Sequence, residues 1–207
     1  MSLARTTAFL HHGDPRLAAL HAHPRARERA RSFLEDYAPN DQHQAETRAR
    51  MLAFLERHTE ALERSCAPGH FTASALVIDV RRERALLGLH KKLGRWLQLG
   101  GHCEGDGNLA GSALREASEE SGIQDLAIDP RPIDLDIHAI PAQGSEPEHL
   151  HLDVRFVVVA PAGAESRPSD ESLELRWFLP PEVGLVPTDD SVRRLFRLAL
   201  GPEVLSS

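Results

Sequence analysis

Apolar residues recur at helical spacing through the first third of the chain and at strand spacing through most of the remainder. Residues 24–37 open with Pro24, carry good helix formers, and stop at Ala38-Pro39, which predicts one helix. Asn40 or Asp41 can cap a second, in which Met51, Leu52, Phe54, Leu55, Ala61 and Leu62 recur at near-helical intervals as far as Cys66, before Pro68-Gly69 ends it. Arg alternates with Glu on the outer faces of both, the pattern of a solvated surface. The inner stripes need a cover, so residues 1–67 read as a helical N-terminal extension packed on the main domain or on a second copy of the chain, and a homodimer through that stripe is an expectation.

From Gly69 onward the pattern changes. Strands are predicted over 71–79, 85–89, 126–128, 134–140, 149–160 and 173–179, the first two joined as a hairpin through the charged turn 81–84. Two helices interrupt or follow them, over 108–121, closed by Gly122, and over 189–200, closed by Gly201-Pro202. Strands and helices are thus mixed from residue 68 onward.

Composition narrows the function classes. The 207 residues are 41% hydrophobic and 27% charged, within the range of globular chains, and a core of this size needs no staples. Two cysteines, Cys66 and Cys103, are too few for a secreted disulfide framework. With 24 Lys and Arg against 31 Asp and Glu, the formal charge of -7 gives no sign of stable nucleic-acid binding. No run approaches the 18 or more apolar residues of a membrane span, and residues 1–10 are too short and too polar for a signal peptide. The expectation is a soluble, cytoplasmic protein that acts on small molecules.

The chemistry-bearing residues gather in the helix over 108–121. At about 100° per residue, Glu116, Glu119 and Glu120 share one side, while Ala110, Ala113, Leu114, Ala117 and Ser121 share another. Like charges at i,i+4 repel by about 0.2–0.5 kcal/mol, and a hard, oxygen-preferring cation would reverse that sign. A solvated acidic stripe is the plainer reading of three glutamates alone. Ahead of the helix, however, stands Leu97-Gln98-Leu99-Gly100-Gly101-His102-Cys103-Glu104-Gly105-Asp106-Gly107, a strand running into a glycine-rich loop through which backbone can approach a metal or a phosphate.

Together, residues 101–123 resemble the Nudix box: Gly, five residues, Glu, seven residues, then Arg-Glu-aliphatic-any-Glu-Glu-any-Gly-aliphatic. Gly101, Arg115, Glu116, Glu119, Glu120, Gly122 and Ile123 match, a coincidence on the order of 10⁻⁷ or rarer if each residue type falls at about one position in fifteen. Two positions depart. Ala117 stands in the aliphatic slot, and Gly107 stands where the family has its first glutamate, with Glu104 and Asp106 nearby.

The resemblance implies an α+β Nudix fold, a mixed β-sheet sandwiched between α-helices, matched from about His70 to Leu200 and giving a domain over residues 68–207. It implies hydrolysis of a nucleoside diphosphate linked to another moiety, by attack of water on phosphorus, with Mg2+ or Mn2+ as the cofactor. Carried over by position, Glu116, Glu119 and Glu120 would hold the metal with the Gly100 carbonyl, and Arg115 would orient a glutamate. The general base would be a box glutamate or an acid from a distant loop, for which Glu146, Glu148, Glu171 and Glu174 are candidates.

Outside the box, residues 148–156 alternate polar and apolar positions. His149, His151, Asp153 and Arg155 share one face, and Leu150, Leu152, Val154 and Phe156 the other. The polar face can line the substrate cleft, can face solvent or a helix through satisfied hydrogen bonds, or can hold a transition metal on His149, His151 and Asp153. His70 and His102, by their positions beside the first strand and in the box loop, and Arg95, with Lys91 and Lys92, are further candidates for substrate contact. Cys103 lacks a visible base that would make it a nucleophile. Two rival classes stand beside the hydrolase: a non-catalytic nucleotide- or effector-binding Nudix module, suggested by Gly107, and a diphosphate isomerase of the same fold, against which the context of Cys103 speaks.

Overall fold

The computed structural model describes residues 9–201 apart from 145 and 171. Its elements in chain order are β1 (Leu10–His11), α1 (Pro15–Ala19), α2 (Ala26–Asp36), α3 (Gln42–Arg57), β2 (Gly69–Ile78), β3 (Ala85–His90), β4 (Trp96–Leu97), β5 (Leu99–His102), α4 (Leu109–Ser121), β6 (Ala127–Ile128), β7 (Asp134–Ile140), β8 (His149–Val159), β9 (Ser172–Phe178), α5 (Pro180–Val183) and α6 (Asp190–Leu200). One mixed sheet joins all the strands in the order β1-β6-β8-β2-β3-β4, with β5 also on β2, β7 on β8 and β9 on β3. Its spine is the parallel pair β2 and β8, in register from Gly69 opposite Leu150 to Ile78 opposite Val159. β2 is buried along its whole length. That explains its near-continuous run of small and β-branched residues.

Alternation assigns the two faces of β2. Phe71, Ala73, Ala75 and Val77 join Leu135, Leu152, Val154 and Phe156 in a core closed by α4 and by the N-terminal helices. Leu76 and Ile78 face the other way, into a second core with Val192, Leu195 and Phe196 of α6. Between them the helices cover the sheet on both sides, an α+β sandwich.

The predicted helix over 40–66 ends earlier, at Arg57. Ala61 and Leu62 are still buried, but the Ala61 carbonyl accepts from the Phe71 N–H at 2.8 Å and the Leu62 carbonyl from the Gly105 N–H at 3.0 Å. Those carbonyls are committed to the sheet and the glycine loop, which a continued helix would forbid. Two short helices escaped the pattern, α1, capped by Asp14, and the four-residue α5.

The extension covers the sheet of its own chain. Phe33, Leu34, Met51 and Leu55 are buried in the same core as Phe71 and Phe156. Gln44 on α3, 2% exposed, fastens the contact: its Oε1 accepts from the Leu135 N–H and the Tyr37 hydroxyl, and its Nε2 donates to the Leu135 carbonyl at 3.1 Å. The apolar stripe that suggested a homodimer is therefore consumed within the chain and gives no argument for a second copy. No helix among the described residues is long and apolar enough to cross a membrane.

Candidate functional site

The predicted acidic helix starts one residue later than expected, with Asn108 as its cap: the Asn108 carboxamide accepts from the Gly111 N–H at 3.3 Å. Gly122 ends it at φ 65°, in the left-handed region. Antiparallel pairing of β5 with β2 sets Gly101 opposite Ala73 and Gly100 opposite Ser74. Glu116 then folds over Gly101 so closely that a Cβ there would lie 2.5 Å from its Oε2. Glycine is what lets the carboxylate rest on the strand.

The other carboxylates gather around the same point. Glu120, 9% exposed, accepts from the Gly100 N–H at 3.3 Å. Arg115 lies 2.6 Å from Glu116 Oε1 and 3.4 Å from Glu119 Oε2, while its Nη2 donates to the His102 carbonyl at 3.0 Å. One guanidinium thus ties the helix to the end of β5. Three carboxylates against one nearby guanidinium, with backbone oxygen at Gly100 and no thiol or imidazole among these groups, is a donor set suited to a hard divalent ion such as Mg2+ or Mn2+.

Gly107, the departure from the family pattern, has a local cause. A Cβ at this position would collide with the backbone carbonyl of Ala26, the first residue of α2. The N-terminal helices occupy the space that the family's first glutamate would need. Asp106 does not replace that glutamate at the metal edge: its Oδ1 accepts from the Asn108 N–H at 2.8 Å and lies 4.0 Å from Arg29. Glu104 is exposed, at φ 51°.

The polar face of β8 meets matching faces on its neighbours. Register sets His70, Thr72 and Ser74 of β2 beside His151, Asp153 and Arg155, and sets His138, Asp136 and Asp134 of β7 on the other side of the same three. Arg155, 2% exposed, reaches Asp153 at 2.7 Å, Asp136 at 3.1 Å and Asp134 at 3.4 Å. Arg194 of α6 adds a contact of 2.7 Å to Asp134. Asp153 is 3% exposed and accepts from Thr72, Ser74, Gln98 and Arg155. Its carboxylate binds strands together, so neither the expected substrate contact nor the zinc set of His149, His151 and Asp153 matches its surroundings. Desolvation works against ionising Asp134 and Asp136; for Asp136 the hydrogen bond from His138 and the charge of Arg155 prevail and hold the carboxyl well below its usual range.

At the open end of this face the histidines converge. The His70 ring lies 5.0 Å from those of His102 and His149 and 4.8 Å from that of His151, and His138 is 5.5 Å from His151. His70 is 2% exposed, and among the described residues neither ring nitrogen has a hydrogen-bond partner. Each unpaired buried group of this kind costs about 1–3 kcal/mol. Burial, reinforced by neighbouring imidazoles, pushes the His70 ring down to about 4 and depresses His151 as well. His138 was not singled out in the sequence, although Asp134, Asp136 and His138 alternate in the same manner as His149, His151 and Asp153.

The remaining candidates lie at the rim. Arg95, Lys91 and Lys92 are exposed in the turn between β3 and β4, and Lys92 donates to Gln143 at 3.3 Å, beside the β7–β8 hairpin. Glu146, on that hairpin, pairs with Arg64 at 2.5 Å, a partner the sequence did not suggest, and the pairing holds its carboxyl below the usual range. Glu148 and Glu174 are exposed, and Glu171 lies outside the described residues. Cys103 is buried and its thiol is pushed far up by desolvation, so it has no thiolate to offer as a nucleophile.

Comparison with known proteins agrees with this architecture. A search of curated proteins finds no significant match. Among solved structures, an Ap4A hydrolase from C. elegans in a binary complex matches with a TM-score of 0.50 and 16% identity over 61% of this chain and 92% of its own. A NUDIX family hydrolase from Clostridium perfringens gives 0.46 and 23% over 63% of this chain and 95% of its own. The E. coli dihydroneopterin triphosphate pyrophosphohydrolase gives 0.49 and 15% over 63% and 94%. At 16% identity the likeness to the C. elegans structure concerns the fold alone. The sequence model of the NUDIX domain matches residues 70–198, more than half of the chain, with the strand, glycine loop and acidic helix at its centre, and the protein belongs to the NUDIX domain family.

Proposed function

We propose that the protein is a metal-dependent hydrolase that cleaves a diphosphate linkage in a nucleoside diphosphate joined to another moiety. The observation that carries this reading is the gathering of Glu116 and Glu120 onto Gly101 and Gly100, with Arg115 bridging Glu116, Glu119 and the His102 carbonyl. Glu116, Glu119, Glu120 and the Gly100 carbonyl would hold Mg2+ or Mn2+. Such an ion neutralises phosphate oxygens and lowers the pKa of a bound water. Arg115 is a positioning residue: it keeps two glutamates oriented and limits their mutual repulsion.

In the reaction, a water oxygen bonds to phosphorus, the bridging phosphorus–oxygen bond breaks, and the proton leaves the water for a carboxylate. The box glutamates are the better source of that base. Glu146 is committed to Arg64, which lowers its affinity for a proton. Arg95 with Lys91 and Lys92, exposed between β3 and β4, would supply positive charge for phosphates, and His102, His149 and His151, with the buried His70 among them, would lie on the substrate side of β5 and β8.

Incubation with Mg2+ and a panel of nucleoside triphosphates, dinucleotide polyphosphates and nucleotide sugars tests the proposal. Metal-dependent release of phosphorylated products is expected. Glu120→Gln, which keeps shape and removes charge, should lower the rate by about 10²–10³-fold, since several kcal/mol of charge stabilisation are at stake. A folded wild type that binds Mg2+ and cleaves nothing on the panel would favour a nucleotide-binding module instead.

A further inference from the structure

The histidine cluster is not explained by the hydrolase reading, which needs oxygen donors. We infer that His70, His102 and His151 form a second metal site, selective for a transition ion of the Zn2+ type and distinct from the carboxylate edge.

Three observations converge on it. The ligand atoms of His70, His102 and His151 all lie within 4.8 Å of one another. Around a tetrahedral ion with bonds of about 2.0–2.1 Å the nitrogens stand about 3.4 Å apart, so modest side-chain rotation closes the set. Second, His70 is buried amid other imidazole rings, with both ring nitrogens unpartnered among the described residues. A metal bond would satisfy one of these nitrogens. Third, the ligands come from three adjacent strands, β2, β5 and β8, whose pairing fixes their relative positions. Neighbours along a single strand could not surround an ion in this way.

Donor type sets the ion class. Imidazole nitrogens suit Zn2+, Ni2+, Co2+ or Cu2+ and bind Mg2+ poorly, whereas the carboxylates a few residues away have the opposite preference. Neighbouring groups orient the flanking rings: the His149 Nδ1–H donates to the Pro147 carbonyl at 2.9 Å, and His138 is held by Asp136 at 2.9 Å. Three imidazoles with a fourth position for water or His149 make an open site next to the carboxylate edge, since the His102 carbonyl is also the group that Arg115 holds.

The test uses full-length protein without an affinity tag, stripped with a chelator and returned to buffer with excess Mg2+, so that hard-ion sites are filled. Calorimetric titration with Zn2+ alone should give one ion per chain at micromolar affinity or tighter. Co2+ in its place should give the intense visible bands of a tetrahedral, nitrogen-bound ion. His151→Ala and His102→Ala should each weaken Zn2+ binding more than the roughly 10- to 100-fold that loss of an outer partner costs. Glu120→Gln should bind Zn2+ as wild type does. The proposal is overturned if folded wild type takes up no Zn2+, if the Co2+ spectrum is that of an octahedral oxygen-bound ion, or if binding survives the histidine changes and disappears in Glu120→Gln. Should a histidine variant fail to fold, the wild-type Co2+ spectrum decides alone.

Discussion

The carboxylate edge and the histidine cluster share β5 and lie on two sides of His102, yet they are built in opposite ways. Glu116, Glu119 and Glu120 come from a single helix within five residues, and their donors are oxygens; Glu119 is largely exposed. The histidines come from β2, β5, β7 and β8, their donors are nitrogens, and the innermost is buried. A local turn of helix suffices for the first. The second exists only when four strands are in register. The comparison teaches that helix periodicity can gather oxygen donors and strand pairing can gather nitrogen donors on the two sides of one residue, the arrangement on which the two proposed ion sites rest.

The sharpest way to separate them is at Arg155. Arg155→Met would leave Asp153 buried without its cation, with Arg194 still on Asp134 and Asp136, a loss of about 3–5 kcal/mol in stability. Because those carboxylates hold β2, β7 and β8 together one register step from the histidines, metal uptake by the histidines should suffer more than Mg2+ binding at α4. Denaturant unfolding measures the first effect and paired Zn2+ and Mg2+ titrations the second. Equal loss at both sites would break the distinction.

Glu120→Gln attacks the other side. Alongside the rate loss of about 10²–10³-fold, the cobalt spectrum of the histidine cluster should be unchanged. A spectral shift would mean that one ion bridges both sets.

Gly107→Ala tests the link between the extension and the loop. Collision of the new methyl with the Ala26 carbonyl should lower stability by about 1–3 kcal/mol, the usual cost of overpacking. Thermal melts would check this, and the carboxylate edge, which follows the loop, should be affected before the histidines. A stable Gly107→Ala protein would show that α2 yields to the loop.

The smallest effect is a dependence on pH. With His70 held near 4 by burial and His21 and His151 also depressed, the folded chelated protein binds fewer protons than the unfolded chain between about pH 6.5 and 4. Its stability is therefore complete above pH 6.5 and declines as pH falls through that window. Melting temperatures across the range should drop by several degrees, and part of the slope should vanish in His70→Leu. A flat profile would show that the rings are hydrated.

Much of this architecture was legible in the chain. The spacing of Gly101, Arg115, Glu116, Glu119 and Glu120 specified a loop and an acidic helix because both are local: the glycine permits close approach, and the i,i+3 and i,i+4 spacing puts the glutamates on one side. The pattern likewise predicts strands over 134–140 and 149–160, and alternation gives the second a polar face over 148–156. It could not say which strand lies beside which.

Pairing decided the rest. Asp153 shares its face with His149 and His151 in sequence, but the neighbouring Ser74 and Arg155 claim its carboxylate, while His70 and His102, 81 and 49 residues before His151, arrive beside that ring. Gly107 is a gap in a motif as sequence, and the Ala26 carbonyl of α2 stands against it; the apolar stripe of the extension fits either the main domain or another copy as sequence, and the chain's own sheet takes it, with Gln44 on Leu135. Periodicity fixes which way a side chain faces because it depends on backbone geometry over a few residues. What it meets there depends on strand order and helix docking, set by burying the whole core at once, and that information belongs to no short stretch of the chain.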